Sequence, residues 1–61
     1  MTIAEKIKQL RKDNSMTQED LAEKLNVSRQ TISKWETSVT IPDADNIVAI
    51  SKLFNITTDE L

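Results

Sequence analysis

Two helix starts stand eleven residues apart, at Thr17 and Ser28, and that spacing leaves room for only two short helices and a tight turn. The stretch between Thr17 and Glu36 reads T-Q-E-D-L-A-E-K-L-N-V-S-R-Q-T-I-S-K-W-E. Thr17 can accept a hydrogen bond from the free N–H of Asp20, and Asp20 stands where a capping box places its acid. Leu21, Ala22 and Leu25 then share one face of the first helix. Asn26 follows, a residue that tolerates the left-handed backbone with which many helices end. Val27 fills the corner, and Ser28 caps a second helix whose Ile32 and Trp35 face inward. The small side chain of Ala22 lets the two helices approach closely, which fixes the angle between them.

Two helices joined by so short a turn, with a polar outer face on the second, make a helix-turn-helix signature. That outer face carries Arg29, Gln30, Ser33 and Lys34. Arginine can donate two hydrogen bonds to guanine, glutamine can pair with adenine through two, and serine suits either base. The face is chemically equipped to read a major groove. Any solvated helix has a polar face, however, so the four residues argue for DNA only within the frame around them.

The rest of the chain extends the helical reading. Thr2 and Glu5 form a capping box ahead of a first helix with Ile3, Ile7 and Leu10 on one stripe. Asp13-Asn14-Ser15 is a turn in which Asn14 takes the left-handed conformation, and Met16 packs just outside the Thr17 cap. Residues 37–42 form an irregular loop with Ile41 turned inward. Asp43 caps a fourth helix with Ile47, Ile50, Leu53 and Phe54 as its buried stripe, and Asn55 ends it. Ile56 returns to the core, and Thr57 with Glu60 forms a third capping box that starts a fifth helix. The chain stops one turn into that helix, which points to the N-terminal DNA-binding domain, residues 1–61, of a longer protein.

Composition narrows the function. Sixty-one residues make one small domain with an aliphatic core and no room for a deep substrate pocket. There is no Cys, His, Tyr or Gly, so thiolate and imidazole metal sites, nucleophile–base pairs and glycine phosphate loops are excluded, and neither enzymatic activity nor a cofactor or metal is expected. No apolar run is long enough for a membrane span or signal peptide, so a cytoplasmic protein is expected. The net charge of −2 is unusual for a nucleic-acid binder. Its distribution is uneven: residues 1–36 hold seven Lys/Arg and six Asp/Glu, whereas residues 37–61 hold one Lys and four acids.

The sequence resembles the helix-turn-helix domains of the phage Cro and repressor type, also called the XRE type. The resemblance rests on Leu10–Lys12, Thr17–Leu25, Val27–Glu36, Pro42-Asp43 and the closing K-L-F-N-I-T-T-D-E-L, and it covers essentially the whole chain. It implies an all-α, compact five-helix bundle of the lambda-repressor-like type, with the helix-turn-helix formed by helices two and three. It implies sequence-specific binding of double-stranded operator DNA by a transcriptional regulator, a repressor, as a homodimer on a two-fold site. The recognition helix is residues 28–36, with Arg29, Gln30 and Lys34 at base edges and Ser28 and Ser33 assisting. Gln18 contacts the DNA backbone and braces Gln30, while Thr17, Thr31, Thr37, Ser38 and Thr40 are further backbone contacts. Arg11 and Glu36 form a structural ion pair. The family commonly has Gly where this chain has Ser38. An effector or partner would act through a C-terminal part beyond residue 61.

A second reading uses the same fold as a protein–protein interaction module. The acidic balance and the apolar residues Val39, Val48 and Leu61 motivate it.

Overall fold

The computed structural model describes residues 1–61, and it is all helical. Helix α1 spans Ile3–Asp13, α2 Gln18–Leu25, α3 Arg29–Glu36 and α4 Ala44–Phe54, followed by a 3₁₀ turn at Thr58–Glu60. Each α-helix starts at a residue whose side chain accepts a hydrogen bond from an otherwise free amide. Thr2 accepts from Glu5 and Thr17 from Asp20, both in complete capping boxes, Ser28 accepts from Thr31, and Asp43 from Asn46.

The four helices also stop in the same way. Ser15, Asn26, Ser38 and Asn55 are left-handed, with φ of 56°, 58°, 63° and 56°. The next amide then reaches back five residues: Met16 to Arg11 at 3.0 Å, Val27 to Ala22 at 3.0 Å, Val39 to Lys34 at 2.9 Å and Ile56 to Ser51 at 2.9 Å. The left-handed residue itself bonds three residues back each time, completing a Schellman motif. A chain without glycine thus builds four motifs that usually employ it. In the first of them Ser15, and not Asn14, takes the positive φ. Asn14 stays at φ −100° and spends its side-chain amide on the Leu10 carbonyl at 2.8 Å.

The core is built from Ile7, Leu21, Ala22, Ile32, Trp35 and Ile50. Helix α3 packs against α1 and α2, and α4 packs against α2. Ala4, Ile7 and Arg11 form the buried line of α1, with Ile3 and Leu10 half-buried beside it. On α4, Ile50 and Ser51 are buried, and Ile47 and Phe54 are half-buried. Ser51 satisfies its hydroxyl locally on the Val48 carbonyl at 2.8 Å.

Several expectations are corrected. The bundle has four α-helices and a 3₁₀ turn instead of five helices, and Thr57 makes no side-chain cap. The Glu60 amide bonds the Thr57 carbonyl at 3.1 Å. Leu53 lies at the solvent edge of α4, and Leu61 is half-buried against the core. Ile41 is 73% exposed, and Pro42 is the buried residue of that loop. The amides of Val39 and Thr40 both bond the Lys34 carbonyl, which folds the loop back onto the end of α3.

Candidate nucleic-acid interface

The turn between α2 and α3 positions everything at the site. Asn26 reverses the chain, the Val27 amide ties the turn to Ala22, and Ser28 opens α3. With Ile32 and Trp35 buried behind it, α3 presents Arg29, Gln30, Ser33 and Lys34 outward. These four residues line one shallow surface hollow that contains no apolar side chain. They stand at i, i+1, i+4 and i+5, the spacing that gathers donors and acceptors on a single helical face.

The other candidate residues flank this face with different degrees of freedom. The Ser28 oxygen caps the Thr31 amide at 3.1 Å and shares a hydrogen bond with the Thr31 hydroxyl at 2.9 Å. Thr17 accepts from the Asp20 amide at 3.0 Å, and the Asp20 carboxylate accepts the Thr17 amide at 2.9 Å. That backbone hydrogen bond, and then the one with the Thr17 side chain, hold the Asp20 carboxyl below the usual range. The N–H groups of Gln18 and Glu19 at the start of α2 have no intramolecular acceptor. In the loop after α3, the amides of Thr37, Ser38, Val39 and Thr40 are all bonded to carbonyls of α3. The Thr37 hydroxyl donates to the Ser33 carbonyl at 2.8 Å. Any anion met there is met by the hydroxyls, chiefly those of Ser38 and Thr40.

Behind the face lies a polar network joining α1, α2 and α3. Arg11 forms a two-pronged pair with Glu36, Nε to Oε2 at 2.7 Å and Nη2 to Oε1 at 3.0 Å. Its remaining nitrogen donates to the Met16 carbonyl at 2.8 Å. The two side chains are only 11% and 3% exposed, so the pair is a tertiary clamp between α1 and α3. Burial pushes the Glu36 carboxyl up, but hydrogen bonds from Arg11 and then Gln18 outweigh it, so its pKa lies below the ordinary value. The hydrogen bond to Glu36 raises that of Arg11.

Gln18 donates from Nε2 to Glu36 Oε1 at 3.2 Å and accepts from Arg29 Nη1 at 3.5 Å. The expected brace of Gln30 is therefore made to Arg29 instead. Neither the Glu36 contact nor the Arg29 contact has a local sequence signal, because both depend on the crossing of α2 and α3.

Two other surface hollows exist. One is lined by Met16, Asp20, Glu23 and Lys24, the other by Met1, Glu5, Lys8, Gln9 and Lys12. Each mixes acids with Lys, and no acidic group is arranged to hold a metal ion. No helix is long and apolar enough to cross a membrane.

Fold and face together define a helix-turn-helix domain of the phage-repressor class. The chain belongs to the helix-turn-helix family HTH_3, of the XRE or Cro and repressor type, whose profile matches residues 7–61. These are the non-enzymatic DNA-binding domains of transcriptional regulators. The transcriptional activator BcrR of Enterococcus faecalis is 49% identical over 61 residues, all of this chain and 30% of BcrR. The transcriptional regulator ImmR of Bacillus subtilis (strain 168) is 34% identical over 61 residues, 48% of its length. The chain thus spans less than half of these curated relatives. Among solved structures, the P22 c2 repressor in complex with a synthetic operator superposes with a TM-score of 0.89 at 34% identity, covering 97% of this chain and 89% of that one. A transcriptional regulator from Listeria innocua gives 0.93 at 28% identity, covering 98% of this chain and 56% of that one.

Proposed function

We propose that the domain reads a double-stranded operator in a sequence-specific manner, with α3 in the major groove. Arg29, Gln30 and Lys34 meet base edges, assisted by Ser33 and, through its remaining hydrogen-bonding capacity, Ser28. Gln18, Thr17, Thr31, Thr37, Ser38 and Thr40 set the register on phosphates. The observation that carries this reading is the single all-polar hollow formed by Arg29, Gln30, Ser33 and Lys34. The likeness to a repressor solved on its operator supports it. A homodimer placing two α3 helices one DNA turn apart would match a two-fold site. Such a protein works in the cytoplasm, beside the chromosome. Repression results where the operator overlaps a promoter, and activation, as in the name of BcrR, results from the same DNA reading.

With a net charge of −2, the domain gains little from the phosphate backbone at large, so base contacts carry an unusually large share of its affinity. Selection from a random duplex library, at low and then physiological salt, tests the reading. A palindromic motif with two half-sites is the expected result, and no enrichment at either salt would overturn it for this domain.

A second reading, a module that binds another protein, is favoured by Val39 and Ile41, 68% and 73% exposed on one uncharged loop. Salt separates the two. Even a few phosphate contacts make a DNA complex weaken measurably as salt rises, whereas an apolar interface hardly responds.

A further inference from the structure

Helix α1 has no part in the DNA reading proposed above, yet it carries Lys6, Lys8, Arg11 and Lys12, half of the eight Lys and Arg residues of the chain. Arg11 is spent on Glu36, and Lys6 is half-buried, whereas Lys8 and Lys12 are exposed. Lys8 precedes Arg11 by three positions, so it shares the face of α1 that meets the end of α3. Lys12 lies farther round, about 100° from Arg11.

The position of Lys8 is felt at Glu36. Burial raises that carboxyl, hydrogen bonds from Arg11 and then Gln18 outweigh it, and the charges of Arg11 and then Lys8 lower it further. Glu36 is nevertheless fully occupied without Lys8. Its Oε2 accepts from Arg11, and its Oε1 accepts from Arg11 and Gln18. Arg11 and Glu36 form the one ion pair of the domain, so Lys8 enters none. The two acids of α1 are engaged as well, Glu5 by the Thr2 amide at 2.9 Å and Asp13 by the Gln9 side chain at 2.7 Å. Arg11 and Glu36 cancel each other's charge. Lys8 is left as an unpaired cation at the seam of α1 and α3, close to the carboxylate that Gln18 touches from the start of α2.

We infer that Lys8 is a further DNA contact: its ammonium binds an operator phosphate, so that α1 joins α2 and α3 on the duplex. The inference rests on the proposed DNA reading and adds to it a residue outside the helix-turn-helix. An ammonium on a flexible stem is a point charge for phosphate, and a phosphate contact carries no base preference of its own. In a domain of net charge −2 a single such contact counts, because few phosphates are neutralised and each one releases counterions.

The test measures binding of the duplex selected from the random library over a range of salt, by the unaltered domain and by Lys8→Gln, Lys12→Gln and Lys52→Gln. Each variant removes one positive charge, so any effect of net charge alone is common to all three. Lys8→Gln is expected to reduce the slope of log affinity against log salt by about 0.9, the share of one phosphate, while the other two stay near the unaltered slope. Base preferences should be unchanged in all three. Duplexes carrying one neutral methylphosphonate at a time then locate the contact: one replacement should weaken the unaltered domain and have no effect on Lys8→Gln.

A slope change in Lys8→Gln no larger than in Lys12→Gln and Lys52→Gln overturns the inference. So does the absence of any phosphate whose replacement is silent in Lys8→Gln, or a loss confined to one base pair. If the unaltered domain selects no sequence at all, it is the proposed DNA reading that fails.

Discussion

The end of α3 and the ends of the other three helices share one hydrogen-bond pattern but differ in the fate of the next apolar side chain. Met16, Val27 and Ile56 are each the apolar residue just after a left-handed turn, and each is half-buried. Val39 holds the same place after α3, with the same backward bond, yet it is 68% exposed. The hydrogen bonds therefore do not require the apolar contact. At the ends of α1 and α2 the stop also packs an apolar side chain, Met16 or Val27, against the core, whereas after α3 it only turns the chain. Residues 37–41 are left on the surface beside the reading face, held by their amides instead of by burial.

The largest effect on this contrast is expected at the first stop, where Arg11 supports the Met16 carbonyl as well as pairing with Glu36. Arg11→Ala leaves a buried carboxylate unpaired and should cost about 3 kcal/mol, read by urea unfolding. A loss near zero would mean that the clamp is dispensable. The same pair predicts a pH dependence. The Glu36 carboxyl has a lowered folded pKa, so its contribution is full above the ordinary glutamate pKa and is lost as pH falls through the folded value. Melting temperatures measured from neutral pH down to acid should fall through that window, and less steeply in Glu36→Gln.

A direct comparison of the apolar positions comes next. Val27→Ser should destabilise by about 1–2 kcal/mol, because Val27 packs on the core, whereas Val39→Ser should stay within about 0.5 kcal/mol. Equal losses would erase the distinction drawn between the two ends. The smallest effects belong to the left-handed residues themselves. Ser15→Gly and Ser38→Gly should each stabilise by roughly 0.5–1 kcal/mol, since Gly removes the strain of a Cβ at positive φ but loses more entropy on folding. The matching changes at Asn26 and Asn55 should do less, because Asn already tolerates that conformation. Thermal unfolding of the four variants side by side would rank them.

Legibility in the sequence tracks the range of the interaction involved. The starts of the four α-helices, the left-handed Asn26 and Asn55, and the outward set of Arg29, Gln30, Ser33 and Lys34 all depend on residues at most five apart. The ion pair spans 25 positions in the chain and came from the family resemblance, with no local signal to reveal it. Ser15 escapes a local reading as the first left-handed residue because α1 runs through Asp13 and Asn14 spends its amide on the helix it follows.

The sequence alone determined an all-helical domain with a helix-turn-helix at its centre and a face chemically fit for base edges. Capping, periodicity and side-chain chemistry are local properties, and a short chain cannot evade them. Only the tertiary structure decided that Pro42 and not Ile41 is buried, that the last segment is a 3₁₀ turn, and that Gln18 lies between Glu36 and Arg29. Those outcomes depend on which groups meet when α1, α2 and α3 cross and how the loop folds back on α3. Such meetings are set by the packing of the whole core.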